Sequence, residues 1–378
     1  DVWVLASGPV TPLTLLRRPG QPIALRRSGY DLPSRVADHL HWLGRHAERA
    51  ENAARLLRTI TTRLASESNE ECAAEATALL ATITGPPAAS GEEPSRRHVH
   101  DDIQSLVHAP DRAGSVRQHI DQLWRTASVV RDRISIDSWK VLARVRRNSL
   151  GSRTMARPLA GRVADVLPHL DTLIIDLSAF AGLGTESMTR GPGWRFLDMG
   201  RRIERAASGI QLLAVTLAAP RAQAYAEGLR ADAPRLEEML LEIADSSMTY
   251  RNRYPGVLEA APLIDLLVID ETNPRSIGFQ LAALADHVAA LPGDDASPVL
   301  SVEQRSIMAA VSRLRLADVD RLAVVDDRGG RGELAGLLAR LDGLLREFAD
   351  AVSHRYLVHS TPRRQLGGLP IPLSDTGA

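Results

Sequence analysis

A single cysteine, Cys72, among 378 residues excludes an intrachain disulfide, and nothing in the chain argues for an oxidising compartment. Cys72 lies in the polar stretch NEECAAEA with no base beside it in sequence, so it reads as an ordinary thiol. Lysine is almost missing: Lys140 is the only one, although basic residues number 46 in all. Chemistry that needs a side-chain amine, such as a Walker-type phosphate lysine or a Schiff base, therefore has one candidate at most. Lys140 follows Trp139 in a helical pattern and reads as a solvated position. Neither charge is in excess, since 46 acidic residues balance the 46 basic ones. A nucleic-acid binder usually carries a basic surplus, so that class is disfavoured. No apolar run reaches the roughly 18–20 residues a membrane helix needs, and no signal peptide is visible. A cytoplasmic location without a membrane partner is the expectation. GxxxxGK[ST], GxGxxG after a strand and GxSxG are all lacking.

What is present is helical periodicity on a large scale, with 44% apolar residues, ample for a buried core. Residues 1–30 stand apart: VWVLASGPV alternates like a strand, and prolines at 12, 19 and 22 follow in TPLTLLRRPGQPIALRRSGYDLP. This segment reads as the end of a sheet domain and a linker, the remnant of a longer polypeptide. From Pro33 onward apolar residues recur every three or four positions: Val36, Leu40, Leu43, Ala47, Ala50, Ala54 and Leu57. Similar patterns predict helices over 34–67, 70–84, 113–133, 136–148, 155–182, 194–218, 233–253, 256–269, 274–291, 301–316 and 332–358. Breaks fall at 85–97, 182–193, 291–298 and 324–333, where Gly and Pro gather. The body is expected to be all-α, a multi-helix bundle over 31–360 with halves at 31–185 and 186–360, and residues 361–378 a disordered tail.

The halves are suggested by a repeat. Gly44-Arg45-His46-Ala47-Glu48-Arg49-Ala50 and Gly200-Arg201-Arg202-Ile203-Glu204-Arg205-Ala206 share G-R-x-x-E-R-A, 156 residues apart. An aromatic-Leu pair precedes each copy, Trp42-Leu43 and Phe196-Leu197, and a Leu-Leu follows each at one offset. Such self-similarity points to duplication. Side chains three or four apart share a helical face, so Arg45, Glu48 and Arg49 form one patch and Arg201, Glu204 and Arg205 another. Gly44 and Gly200 permit close approach of a second backbone. Two readings stay open. The patches are interhelical ion pairs that specify how helices meet, or they are an anion site, because the planar guanidinium fork suits carboxylate and phosphate. In the second reading Glu48 and Glu204 orient arginines or handle a proton.

Two further polar clusters stand out. SMTYRNRY places Tyr250, Arg253 and Tyr254 on one face, able to grip an anion or to cap a neighbouring helix. In IDETNPRS, Asp270, Glu271, Asn273 and Arg275 crowd a helix start, with Asn273 as the cap and Pro274 as the first helical residue. No metal site is expected. His39 and His41 point to different faces, and His98, His100, Asp101 and Asp102 fall in or beside the loop at 85–97.

LPSRVADHLHWLGRHAERAE resembles the opening of the alpha-E domain family, and GWRFLDMGRRIERA, TYRNRY and IDETNPRS resemble its other signature stretches. The likeness covers about 31–360. The opening VWVLASGPV resembles the end of the circularly permuted ATP-grasp domain that often precedes an alpha-E domain. His39, His41 and His46 stand where the family more often shows amide or aromatic residues. The resemblance implies work alongside a carboxylate–amine ligase, with ATP and Mg belonging to the ATP-grasp domain and no cofactor in this module. It also implies association with transglutaminase-like and proteasome-like peptidase proteins, and a peptide or small-molecule substrate. Three roles follow as expectations: a module binding an anionic substrate or intermediate of amide formation, an independent enzyme using a glutamate on amides, or a purely structural or oligomerisation domain.

Overall fold

Helix α1, Ser34–Ser66, runs through the middle of the molecule and buries residues around most of its circumference, from Ala37 and Leu40 to Ile60 and Leu64. A helix covered on all sides belongs to the interior. Its start follows Pro33, whose carbonyl accepts from the amides of Val36 and Ala37 at 2.8 and 3.0 Å. The computed structural model describes residue 8 and residues 32–66, 71–85, 95–151, 163–220, 234–291 and 299–358. The strand-like opening and linker over 1–30 (Gly8 apart), the tail over 361–378 and most of the loops at 85–97 and 291–298 lie outside the described residues.

After α1 come α2 (Glu71–Thr84), α3 (Arg96–His108), α4 (Val116–Val129), α5 (Ile136–Gly151), α6 (Leu167–Ser187) and α7 (Pro192–Leu213). Then follow α8 (Pro234–Ile243), α9 (Ser247–Arg253), α10 (Ala260–Ile264), α11 (Ile277–Ala289), α12 (Val302–Arg315), α13 (Val319–Ala323) and α14 (Gly332–Val352). The backbone after α7, α10 and α14 widens into π-helical turns at Ala214–Ala218, Asp265–Ile269 and Ser353–Leu357. No strand occurs among the described residues, so the fold is all-α. Helix α1 packs on α7, α4 and α6, α5 bridges α4 and α6, and α11, α12 and α14 stack beyond α7. One apolar core runs through all of these elements from Ala37 to Leu357.

Several expected elements differ. The stretch read as one helix over 233–253 is broken at Asp245, whose φ of 52° is left-handed, a conformation Asp tolerates better than most side chains. Helix α3 occupies residues placed in and beside a loop, because Ser95 caps it by accepting from the His98 amide at 3.4 Å. Its buried Val99, Ile103, Leu106 and Val107 supply the apolar stripe. Helix α6 runs on to Ser187, so the break expected over 182–193 shrinks to the few residues before Pro192. Cys72 is buried in the first turn of α2. Lys140 is exposed and pairs with Asp137 at 3.0 Å.

Candidate functional site at the crossing of two Gly-Arg helices

Helices α1 and α7 run side by side in the same direction. At Gly44 an added Cβ would overlap the carbonyl oxygen of Leu197 and lie 3.1 Å from the Arg201 nitrogen. At Gly200 it would overlap the carbonyl oxygen of His41 and lie 3.1 Å from the Arg45 nitrogen. Only glycine lets two helix backbones come this close. The small residue has a cost in helix propensity of about 1 kcal/mol, and the contact it permits is what brings the two polar patches together.

Each patch reaches across to the other. Arg45 Nε donates to Glu204 at 2.5 Å and Arg49 Nη2 at 2.8 Å. In return Arg205 donates to both oxygens of Glu48, at 2.5 and 2.8 Å, and Arg201 stands 3.7 Å from it. Every one of these pairs has a counterpart with the two helices exchanged, and Asn52 meets its equivalent, Ser208, at 3.1 Å. The two patches thus pair reciprocally, although Arg45 lies closer to Glu204 than Arg201 does to Glu48. Glu48 is completely buried and Glu204 nearly so. Burial alone would raise the Glu204 carboxyl. The hydrogen bond from Arg49 and the charges of Arg45 and Arg49 outweigh it and hold the group below the usual carboxylate range.

The network extends beyond the repeat. Glu51 accepts from Arg55 and from Arg275, both at 2.9 Å. Asp198 takes Arg202 at 2.9 Å, His287 at 2.8 Å and Arg201 at 3.5 Å. Asp245 stands 3.2 Å from Arg55 and 3.5 Å from Arg275. Seven arginines (45, 49, 55, 201, 202, 205, 275) therefore meet five carboxylates (Glu48, Glu51, Asp198, Glu204, Asp245), an excess of two positive charges. Burial and the nearby charge of Arg205 both weigh against the charged form of Arg275. An incoming anion would relieve that crowding.

A cavity of about 400 Å³ straddles this seam, within the size range of small-molecule sites. Arg49, Asn52, Ala53 and Leu56 present one face of α1 to it, and Glu204, Arg205, Ser208 and Leu212 the matching face of α7. Gln118, His119 and Gln122 close it from α4, while Arg275 and the end of α8 complete the wall. His119 is buried, and burial together with the charge of Arg49 lowers its pKa to about 4, so the ring is neutral at pH 7. Its Nδ1 has no hydrogen-bond partner among the described residues. Two further buried histidines lie at the crossing. Burial, then the charge of Arg45, lowers His41 to about 3. Burial, then Arg49, lowers His46 to about 4.

Of the residues singled out in the sequence, Arg49, Glu204, Arg205 and Arg275 line the cavity, while Arg45, Glu48 and Arg201 support it from behind. The SMTYRNRY cluster does not join them. Tyr250 is buried and accepts from the Glu259 amide at 3.1 Å, and Arg253 pairs with Asp270 and with Thr272 at 3.2 Å. Tyr250 and Tyr254 line a different depression, beside Arg63 and Glu242. Glu271 is held on the far side of α11 by Arg315, at 2.6 and 2.8 Å. Asn273 is not the cap of α11. Ser276 is, accepting from the Phe279 amide at 3.0 Å, while the buried Asn273 side chain is spent on the Leu266 carbonyl at 3.0 Å and on the Arg275 amide at 3.1 Å. That turn aims Arg275 at Glu51.

Sequence reasoning missed Glu51, Arg55 and Asp198, whose helical spacing from known patch members was a usable signal. It also missed the α4 face, Gln118, His119 and Gln122, for which α4's own pattern contains no sign of a site. Among the described residues no three His, Cys, Asp or Glu side chains gather as a metal ion would require. No helix among them is long and apolar enough to cross a membrane.

An all-helical protein whose two Glu-Arg dipeptides, Glu48-Arg49 and Glu204-Arg205, clamp each other across a glycine crossing defines a class by fold and site together. The chain belongs to the Alpha-E family, described as a predicted alpha-helical domain with a conserved ER motif, whose model matches residues 32–357. It is 33% identical over 331 residues to an uncharacterised protein of Mycobacterium tuberculosis H37Rv and equally to one of Mycobacterium bovis. In both cases 84% of this chain is aligned, and it spans only 36% of the length of those relatives. No solved structure matches the chain.

Proposed function

We propose that the chain is a helical binding module that holds the anionic group of a substrate or intermediate for ATP-dependent carboxylate–amine ligation performed by an attached ATP-grasp domain. The observation that carries the reading is the convergence of Arg49, Arg205 and Arg275 on one cavity within a network two positive charges in excess. Arginine forks bind planar oxyanions with two nitrogens at once. Glu48, Glu51 and Glu204 orient those forks. A carboxyl held ionised by two guanidiniums is a poor proton donor at neutral pH, so the glutamates act as holders rather than as acids.

The likeness of VWVLASGPV to the end of an ATP-grasp domain supports the link to a ligase, and the greater length of the mycobacterial relatives leaves room for such a domain. ATP and Mg then belong to the ligase, and the reaction takes place in the cytoplasm, with transglutaminase-like and peptidase-like proteins as candidate partners. The test uses the full-length protein with ATP and a carboxylate-rich metabolite extract, with amide products followed by mass spectrometry. Arg49→Gln and Arg275→Gln are expected to raise the carboxylate concentration needed for half-maximal product by at least about tenfold, the equivalent of one lost charged hydrogen bond. Unchanged product formation by both folded variants would refute the reading.

A further inference from the structure

The polar groups of the cavity exceed what an anion alone would use. Gln122 on α4 faces the cavity half-buried, and its side-chain amide has no hydrogen-bond partner among the described residues. Asn52 spends its Nδ2 on Ser208, which leaves its carbonyl oxygen able to accept. Gln118 accepts from the Gly114 amide at 3.2 Å through Oε1 and keeps its NH2 for donation. His119, less than a tenth exposed, also lines the cavity, with its unpartnered Nδ1 shielded from solvent. Donors and acceptors in this mixture match an amide group, which brings one N–H and one carbonyl. They do not match a bare inorganic ion.

The rest of the wall is apolar: Ala53, Leu56, Ile83, Leu212, Ile243 and Ala244. A small aliphatic side chain would fit there. The arginines favour a planar monoanion over phosphate. Each already shares its charge with a glutamate or an aspartate, and Glu204 itself lines the cavity, so a dianion would meet a carboxylate at close range.

Building on the anion-binding role above, we infer that the ligand of this cavity is an N-acylated aliphatic amino acid, as at the free C-terminus of a short peptide. Its carboxylate lies on Arg49, Arg205 and Arg275, its amide on Gln122, Asn52 and Gln118, and its side chain on the Leu56–Leu212 wall.

The probes are four small molecules titrated calorimetrically into the chain: N-acetyl-leucine, N-acetyl-leucinamide, 4-methylpentanoate and inorganic phosphate. N-acetyl-leucine is expected to bind at least about tenfold more tightly than each of the others, since each lacks at least one of the three matched features and a lost hydrogen-bonded group is worth about that factor. Gln122→Leu is expected to weaken N-acetyl-leucine and leave 4-methylpentanoate unchanged. If 4-methylpentanoate or phosphate binds as tightly as N-acetyl-leucine, the amide assignment fails while the anion site stands. If the carboxamide binds as tightly as the acid, or if none of the anions binds at about 10 mM, the anion site fails with it.

Discussion

Replacing Gly44 by alanine sets two effects of opposite sign against each other. In an exposed helix interior the change stabilises, because glycine is about 1 kcal/mol worse than alanine. At this crossing the added methyl would overlap the Leu197 carbonyl oxygen, and a backbone atom inside a helix cannot swing aside as a side-chain tip can. The helices must separate, and overpacking of that kind costs about 1–3 kcal/mol. Separation also lengthens Arg45–Glu204 and Arg205–Glu48, both 2.5 Å in the native packing, and thins the desolvated pairs that hold the seam. The expected net effect of Gly44→Ala is destabilisation by about 1–3 kcal/mol. Gly200→Ala is expected to match it, since Gly200 meets the His41 carbonyl in the equivalent way. Gly182→Ala provides the control: that glycine lies within α6 with nothing near its missing Cβ, so the change should stabilise by about 0.5–1 kcal/mol. Urea unfolding followed by far-UV circular dichroism measures all three. If Gly44→Ala and Gly182→Ala shift the midpoint in the same stabilising direction, the close approach of α1 and α7 is wrong, and the paired site with it.

Arg205→Leu strips the fully buried Glu48 of its bidentate partner and is expected to cost about 3–5 kcal/mol, most of it recovered when Glu48→Leu is added; a single-variant loss under about 1 kcal/mol in urea unfolding would contradict the buried pairing. Acid is expected to destabilise from pH 6.5 downward. His41, His46 and His119 are lowered to about 3, 4 and 4, so below 6.5 the unfolded chain takes up protons that the folded one refuses. Stability then falls by up to about 1.4 kcal/mol per pH unit for each such histidine. The depressed Glu204 and Asp198 act in the same direction at lower pH, their contribution being present above the ordinary carboxylate range and lost as the carboxylates are protonated. Urea midpoints measured between pH 7 and pH 4.5 should show a shallower slope for His41→Leu; an identical slope would mean that His41 titrates normally. Ser276→Ala removes the α11 cap and should cost about 1 kcal/mol in the same assay, whereas the cap expected at Asn273 would leave that variant neutral.

Much of the helical content was legible because α1, α7, α11 and α14 carry apolar residues every three or four positions, and such a stripe has few other ways to be buried. The Gly-Arg-x-x-Glu-Arg repeat was legible as a pair of patches, and the two glycines as points of backbone approach. Boundaries were less legible where side chains rather than composition decide them. Ser95 starts α3 inside a run that reads as loop, and Asp245 breaks α8 from α9 by a left-handed turn within an unbroken periodic pattern. Asn273 looks like a cap, but it is drawn inward by the Leu266 carbonyl, and Ser276 takes the role three residues later. The cavity had no local signal, since Gln122 and His119 belong to a helix whose neighbours along the chain contribute none of the arginines.

By itself, then, the order of residues determined most of the helical segments, which of their faces are oily, and that two glycine-marked turns carry matching charges. These properties follow from spacing along one helix, where the fixed pitch of the backbone makes neighbours of residues three and four apart. Tertiary packing alone decided that α1 and α7 run parallel, that Glu48 belongs to Arg205 and Glu204 to Arg49, and that Arg275 reaches Glu51 across 224 positions of chain. Pairings over such separations depend on how whole helices nest. The cavity lies where the two helices, the end of α2, α4, α8 and the Arg275 turn meet, so no single stretch of sequence contains it.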